Sequence, residues 1–233
     1  MNASDLGAAL EAFYASPHGL YAQKALSPYF RTARSERAYN ILIVGYALPF
    51  IHAVRGARNV ALMPEASLQA PAITPGVTFV PHREDGSLPF KAETFHRIFL
   101  IHCLEHAIFP GHLMREVSRC LTFAGKLTLF LPTKKAYTST LFPQKTQEDL
   151  WNAKTFTTLL SESGLTEHKK SSALFFSNVC NTRRRHFALC FEHMFRHCNL
   201  NLGGSIEVIQ ATKHAKHAHP DRQWQTLMPQ MSS

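Results

Sequence analysis

The chain has 233 residues, 45% of them hydrophobic and 18% charged, so it has enough apolar material for a sizeable core and is not a disordered protein. Its net charge of +9 is compatible with RNA or an anionic surface as a partner, although a solvated basic surface is the simpler explanation. The odd number of cysteines, five, suggests free thiols in a reducing compartment, and we predict a cytoplasmic protein with no membrane span.

The first half of the chain is predicted to begin with helices and to continue as short strands. Residues 4–31 carry apolar side chains at helical spacing, and Pro17 interrupts them, which predicts one or two amphipathic helices. Unbroken apolar runs separated by Pro and Gly then predict buried strands at residues 41–44, 60–63, 77–80, 98–101 and 127–131.

The second half continues the alternation of helices and strands. Helices are predicted at Asn152–Ser163 and Thr182–Cys198, and strands at Leu174–Phe176 and Ile206–Ala211. This alternation favours an α/β fold with a mostly parallel sheet. We expect one domain over residues 1–213, with 1–39 as a helical extension, followed by a loose polar tail over 214–233.

The most informative stretch, residues 95–132, reads as strand, loop, helix, Gly turn and strand. Leu104-Glu105-His106 follows the first strand, Pro110 begins the helix, Arg119-Cys120-Leu121 ends it, Gly125 breaks the chain and Pro132 ends the second strand. In order and spacing this stretch resembles the late half of the class I S-adenosyl-L-methionine (SAM) methyltransferases of the type 11 kind. The resemblance covers roughly residues 35–213.

The resemblance implies a fold, a cofactor and a reaction. The fold is a Rossmann-like class I methyltransferase fold, with a mostly parallel seven-stranded sheet, helices on both faces and an antiparallel last strand. The cofactor is SAM, and the reaction is methyl transfer to an acceptor that the sequence does not identify. In such a fold the ligand lies at the carboxyl ends of the strands, near the switch point of the sheet.

The glycine-rich loop of the family is degenerate in this chain. The family has an acid two residues before a G-x-G sequence, whereas here Ile43 stands at the acidic position, Gly45 is retained and Ala47 replaces the second glycine. By resemblance, Gly45, Tyr46 and Ala47 bind the cofactor. We expect Gly45→Val to leave a folded protein that no longer binds SAM.

Two further segments complete the expected cofactor site. Met63 stands near the end of the second strand, where the family has an acid for the ribose, and it either packs on the cofactor or fills the core. Glu84 and Asp85 compete for the place of the acid that binds the adenine amino group, in a loop that ends in Leu88-Pro89-Phe90. An ordinary acidic turn is the alternative interpretation of that loop.

His102, at the carboxyl end of the fourth strand, is the candidate catalytic residue. Histidine titrates near neutral pH, so His102 could position a substrate or accept a proton, or it forms a hydrogen-bonding wall of the cofactor pocket. Glu105 and His106 are expected to cap or orient the helix that follows, not to take part in catalysis.

A stripe of histidines and a run of arginines lie outside this site. His186, Cys190, His193 and His197 recur on one side of a helix, but one helix cannot surround a metal ion, so we predict no metal site and a half-buried stripe on the sheet. Arg183-Arg184-Arg185 either binds an anionic substrate or RNA or forms a solvated surface.

Three functional hypotheses follow from the sequence. The first is a SAM-dependent methyltransferase. The second is a methyltransferase-like fold that has lost catalysis and serves as a binding or assembly protein, because each lost hydrogen bond to a charged group costs about 1.5–3 kcal/mol. A cofactor space filled by Tyr46 or Leu48 would favour the second hypothesis. The third is a basic RNA-binding accessory protein.

Overall fold

A computed structural model describes residues 3–31, 39–54, 58–63, 76–81, 85–133, 153–176, 182–198 and 203–213. The helices are α1 (Ala3–Ala15), α2 (Pro17–Phe30), α3 (Pro110–Cys120), α4 (Ala153–Glu162) and α5 (Thr182–Cys198). The strands are β1 (Asn40–Gly45), β2 (Arg58–Met63), β3 (Val77–Pro81), β4 (Phe95–Ile101), β5 (Leu121–Pro132), β6 (Leu165–Ala173) and β7 (Ile206–Lys213). Short 3₁₀ helices at Leu48–Ala53 and Leu104–His106 follow β1 and β4.

The strands form a seven-stranded sheet in the order β3-β2-β1-β4-β5-β7-β6. The first five strands are parallel, and β7 runs antiparallel to both β5 and β6. The chain moves outward from β1 to β3 and then crosses to the other side of β1 with β4. The switch point of the sheet therefore lies between β1 and β4, and the predicted mostly parallel sheet with an antiparallel last strand is confirmed.

Both faces of the sheet are covered by helices, as predicted. Alternate residues of β1 serve opposite faces: Ile41 and Ile43 pack with α1, α2 and α5, whereas Leu42 and Val44 pack with α3 and α4. All four side chains are buried. Burial on both faces explains why β1 and β4 are continuous apolar runs in the sequence.

The N-terminal helices are part of the core. The break at Pro17 is confirmed, since Ser16 caps α2 by accepting a hydrogen bond from the backbone of Gly19 at 3.1 Å. The fully buried ring of Phe30, at the end of α2, stacks on three further rings, Phe50, Phe99 and Phe130, at centroid distances of 4.4, 4.8 and 4.8 Å. Such aromatic pairs contribute about 0.5–1.5 kcal/mol each beyond their buried area, so α2 is firmly attached to the sheet.

The strand predicted at Leu174–Phe176 is wrong. The strand is β6, which ends at Ala173, and it pairs with β7 along its length. The hydrophobic pattern of the sequence does not predict β6 because this strand is polar: Lys169 is exposed and Lys170 is paired with Glu207. Strands at the edge of a sheet tolerate charged residues, and β6 lies at the end of the strand order.

The Gly turn expected near Gly125 is a bulge inside a longer strand. β5 begins directly after α3, at Leu121, and it shifts register opposite the start of β4. The left-handed residue in this bulge is Ala124, with φ of 57°. Residues 121–126 lack the continuous apolar pattern that predicted the strand from residue 127 because they contain this bulge.

The predicted half-buried histidine stripe on α5 is also wrong. His186, Cys190 and His193 are exposed, and the side chain of His197 lies outside the described part of the chain. The buried side of α5 is instead formed by residues such as Ala188 and Glu192. The helix is rotated this way because Glu192 accepts hydrogen bonds from the Tyr21 hydroxyl on α2 and from a backbone amide.

Several predictions concern absences or lie partly outside the described residues. Among the described residues, Cys103, Cys120 and Cys190 are free thiols, no cluster of metal-ligating side chains occurs, and no helix is long and apolar enough to cross a membrane. Arg183 and Arg184 are exposed, and RNA or an anionic surface stays a predicted partner. The tail at 214–233 lies outside the described residues.

Candidate functional site

The carboxyl ends of β1 and β4 meet at the switch point of the sheet. Gly45 is the register partner of Ile101, and the amide of Tyr46 donates a hydrogen bond to the Ile101 carbonyl oxygen at 3.2 Å. Gly45 has φ of 102°, and a Cβ at this position would lie 1.8 Å from that oxygen. A valine side chain at position 45 would collide with the protein's own backbone, so we now expect Gly45→Val to destabilise the fold as well; whether the variant folds and binds SAM stays a prediction.

His102 follows β4 directly and stands in a strained conformation. Its φ is 52°, a left-handed value that costs a residue other than glycine on the order of 1–3 kcal/mol. Its side chain is buried, with Nε2 2.8 Å from the Tyr14 hydroxyl and Nδ1 3.4 Å from Glu105 Oε1. In the tautomer that carries its proton on Nδ1, that proton faces the carboxylate and Nε2 accepts from the Tyr14 hydroxyl.

Tyr14 extends the site to the N-terminal helix α1. Its ring stacks on Tyr46 at 5.7 Å and meets Phe50 edge-on at 5.7 Å, and only 8% of the residue is exposed. Burial, followed by the charge of Glu105, raises the pKa of Tyr14 well above its ordinary value, and burial raises the pKa of Tyr46 to about 12. Both phenols therefore stay protonated near neutral pH. The ring contacts of Tyr14 also place α1 against the switch point.

Glu105 does not cap the following helix, contrary to the sequence-based expectation. The N-cap residue of α3 is Phe109, and no side chain hydrogen-bonds to that cap. The Glu105 side chain is instead buried beside His102, and within the described part of the chain its Oε2 atom has no hydrogen-bond partner. A buried carboxylate with one long contact and one unpartnered oxygen is unusual, because burying charge is costly unless it is paired.

The charge of Glu105 acts on its neighbours. Burial, followed by the charge of Glu105, raises the pKa of the Cys103 thiol well above its usual range. Burial lowers the pKa of His106, although Glu105 opposes that shift. The lowered pKa favours the neutral form of His106, and a thiol carries no positive charge in either protonation state, so neither of these two neighbours compensates the carboxylate.

Asp85 lies in the predicted adenine loop, with its side chain committed to a local turn. It is exposed, and its Oδ1 accepts hydrogen bonds from the Ser87 amide at 2.8 Å and from the Ser87 hydroxyl at 2.7 Å. This geometry fits the acidic-turn interpretation and does not test a contact with adenine.

The loop over residues 88–90 is fastened to α3 by an ion pair that the sequence did not reveal. Arg119 donates to the carbonyl oxygens of Leu88 and Phe90 at 3.0 and 2.8 Å, and it forms a bidentate pair with Glu116. Glu116 accepts from the Leu88 amide at 3.0 Å. The arginine of the R-x-L sequence therefore fixes the loop that the resemblance assigns to the cofactor.

The structure brings some of the predicted site residues together. Gly45, Tyr46, Ala47 and His102 lie at the switch point, where Ala47 is fully buried and only 5% of Tyr46 is exposed. Met63 ends β2, the neighbour of β1, but its side chain and all of Glu84 lie outside the described residues. The cofactor-binding role of each of these residues stays a prediction.

Comparisons with known proteins identify the fold but no sequence relative. No protein-family model matches the chain, and no curated protein sequence matches it either. Three solved structures illustrate the similarity in fold. The first is a chain of the complex between the Haloferax volcanii Trm112 methyltransferase activator and a protein assigned as a methyltransferase, with 15% identity, a TM-score of 0.63 and coverage of 92% of this chain and 100% of that one.

The other two are the [4+2]-cyclase SpnF and a SAM-dependent methyltransferase from Thermotoga maritima. The cyclase has 13% identity, a TM-score of 0.58 and coverage of 84% of this chain and 82% of that one. The Thermotoga protein has 14% identity, a TM-score of 0.57 and coverage of 87% and 93%. The chain therefore has the Rossmann-like class I SAM-dependent methyltransferase fold.

Proposed function

We propose that this protein is a SAM-dependent methyltransferase that binds its cofactor at the switch point between β1 and β4. The observation that supports this most strongly is the pair of left-handed residues there, Gly45 with φ of 102° and His102 with φ of 52°. Open α/β sheets bind their ligands at such a switch point, and strained backbone collects at functional sites. The acceptor of the methyl group is not identified.

Of the residues at the switch point, only those that follow β4 complement the positive charge of SAM. The cofactor carries a positive sulfonium and a positive amino group, and Glu105 offers a buried carboxylate oxygen without a partner among the described residues. On the β1 side, Ile43 is buried in the core and supplies no charge. The backbone at Gly45 and Ala47, together with His102 and Glu105, would hold the cofactor.

The chain's own residues have defined tasks in this proposal. When bound, SAM supplies a methyl group on a sulfonium that is already activated, so the protein mainly aligns the acceptor and excludes water. Tyr14 and Tyr46 exclude water, because their stacked rings cover this edge of the sheet. His102, whose Nε2 is bonded to the Tyr14 hydroxyl, forms a hydrogen-bonding wall of the proposed site, and Glu105 keeps the imidazole in this orientation.

Calorimetric titration tests the proposal. We expect SAM and its demethylated product to bind, and ATP, which shares the adenosine but carries negative charge, to bind at least tenfold more weakly. If neither SAM nor the product binds at millimolar concentration, the proposal is wrong.

A second function, a methyltransferase-like protein without catalysis, is supported by one observation. Tyr46 is almost entirely buried and stacks on Tyr14, so protein side chains fill part of the space expected for the cofactor. Incubation with methyl-labelled SAM and cell extract separates the two functions. A labelled product supports the enzyme, whereas SAM binding without any transfer to the extract favours the second function.

A further inference from the structure

Among the described residues, the buried glutamates Glu105 and Glu192 differ in how completely their carboxylate oxygens are hydrogen-bonded. Glu192, on α5, is 6% exposed and accepts hydrogen bonds from the Tyr21 hydroxyl and from the Phe175 amide, the latter at 2.8 Å. Glu105 is 8% exposed, but Oε1 has a single long contact of 3.4 Å to His102, and Oε2 has no hydrogen-bond partner among the described residues. A buried carboxylate in this condition destabilises the protein unless a ligand completes its pairing.

Glu105 also holds a distinctive place in the fold. The segment from Asn40 to Val54, which comprises β1 and the 3₁₀ helix after it, contains no acidic residue, and Glu105 is the one acid between Ile101 and Phe109. The segments that leave β1 and β4 at the switch point therefore contribute a single carboxylate between them. A positively charged ligand that binds at the switch point has one anionic partner in these two segments.

We propose that Glu105 recognises the cationic amino-acid end of the cofactor and replaces the acid that β1 lacks. This inference rests on the proposed SAM binding and adds the residue that contacts the positive charge of SAM. Either the ammonium or the sulfonium of SAM can pair with the carboxylate, since both are cations on the same part of the ligand. Oε1 of Glu105 faces His102, and Oε2, which has no hydrogen-bond partner among the described residues, is the atom left for the ligand.

The proposed role of Glu105 predicts a change in stability that would not be expected if the residue were purely structural. Glu105→Gln removes a buried charge whose Oε2 atom has no hydrogen-bond partner among the described residues, so we expect the ligand-free protein to become more stable, with a melting temperature higher by about 2–4 °C. Glu192→Gln is the matched control, because it changes an equally buried but satisfied carboxylate. We expect Glu192→Gln to lower the melting temperature of the ligand-free protein.

The binding arm uses SAM, its demethylated product and 5′-methylthioadenosine, which has neither the ammonium nor the sulfonium. Glu105→Gln should weaken SAM at least tenfold and leave 5′-methylthioadenosine within twofold. Glu192→Gln should leave both within twofold. An equal loss for the demethylated product assigns the contact to the ammonium, and an unchanged affinity for that product assigns it to the sulfonium.

The results that overturn the inference differ from those that overturn the proposed function. If the unaltered protein binds none of the three compounds, SAM binding itself fails, and the role of Glu105 fails with it. If the unaltered protein binds SAM and Glu105→Gln binds it equally well, only the inference is wrong. A lower melting temperature for Glu105→Gln, with all three affinities reduced alike, shows a structural role and likewise overturns it.

Discussion

Replacement of Gly45 by alanine tests the closeness of β1 and β4 at the switch point. An alanine must adopt φ of 102°, which costs on the order of 1–2 kcal/mol or more. Its Cβ would lie 1.8 Å from the Ile101 carbonyl oxygen, so the strand ends must separate. Separation breaks the 3.2 Å hydrogen bond from Tyr46, worth about 1 kcal/mol. We expect a total loss of about 2–3 kcal/mol, before any strain in β4, and a melting temperature lower by roughly 6–10 °C.

Gly164→Ala is the matched control for this experiment. Gly164 also has a positive φ, of 71°, but a Cβ there meets nothing within 4 Å. Alanine at this position carries the conformational cost without the collision, so it should lose only about 1–2 kcal/mol. Urea unfolding of both variants and the unaltered protein measures the difference. Equal losses for the two variants would show that the backbones do not approach closely at the switch point.

Two further predictions concern side chains around the site. Tyr14→Phe keeps the ring stack but removes the hydrogen bond to His102, so we expect a loss of about 1 kcal/mol in urea unfolding; no loss would mean that the bond does not form in solution. Glu116→Gln tests pH dependence, because the hydrogen bond from Arg119 lowers the Glu116 pKa below its ordinary 4.5 in the folded protein. The lowered pKa stabilises the fold above pH 4.5, and that contribution is lost as the pH falls through the folded-state pKa. Melting temperatures between pH 7 and 3 should show the advantage over Glu116→Gln shrinking below pH 4.5; a constant difference would contradict the ion pair.

The sequence predicts the centre of the sheet well and its edge poorly, for a physical reason. Ile41–Val44 and Ile98–Ile101 are buried on both faces, so they must be apolar throughout and are conspicuous in the sequence. β6 has one open edge, and its middle residues are exposed or half-buried, so hydrophobicity does not mark it. Its position is fixed by backbone pairing with β7, which no local pattern reveals.

The candidate site was predictable only where it follows directly from a strand. Gly45 and His102 stand at strand ends, and parallel strands bring those ends together. Tyr14 was missed because 88 residues separate it from His102, and nothing in the sequence of α1 distinguishes this tyrosine from an ordinary core residue. Glu105 was expected to cap a helix because an acid before a helix usually does so.

The N-terminal helices and the degenerate glycine loop are connected through the switch point. A polar site with G-x-G would leave the backbone after β1 open, whereas here Tyr46 and Ala47 are buried, and Tyr46 stacks on a ring from α1. The same ring bonds to His102, which in turn faces Glu105. The polar groups described at this edge therefore belong to α1 and to the segment after β4, and β1 contributes only backbone. Under the proposed role of Glu105, a carboxylate after β4 takes the place of the acid that the resemblance leads one to expect at position 43, where Ile43 is buried in the core.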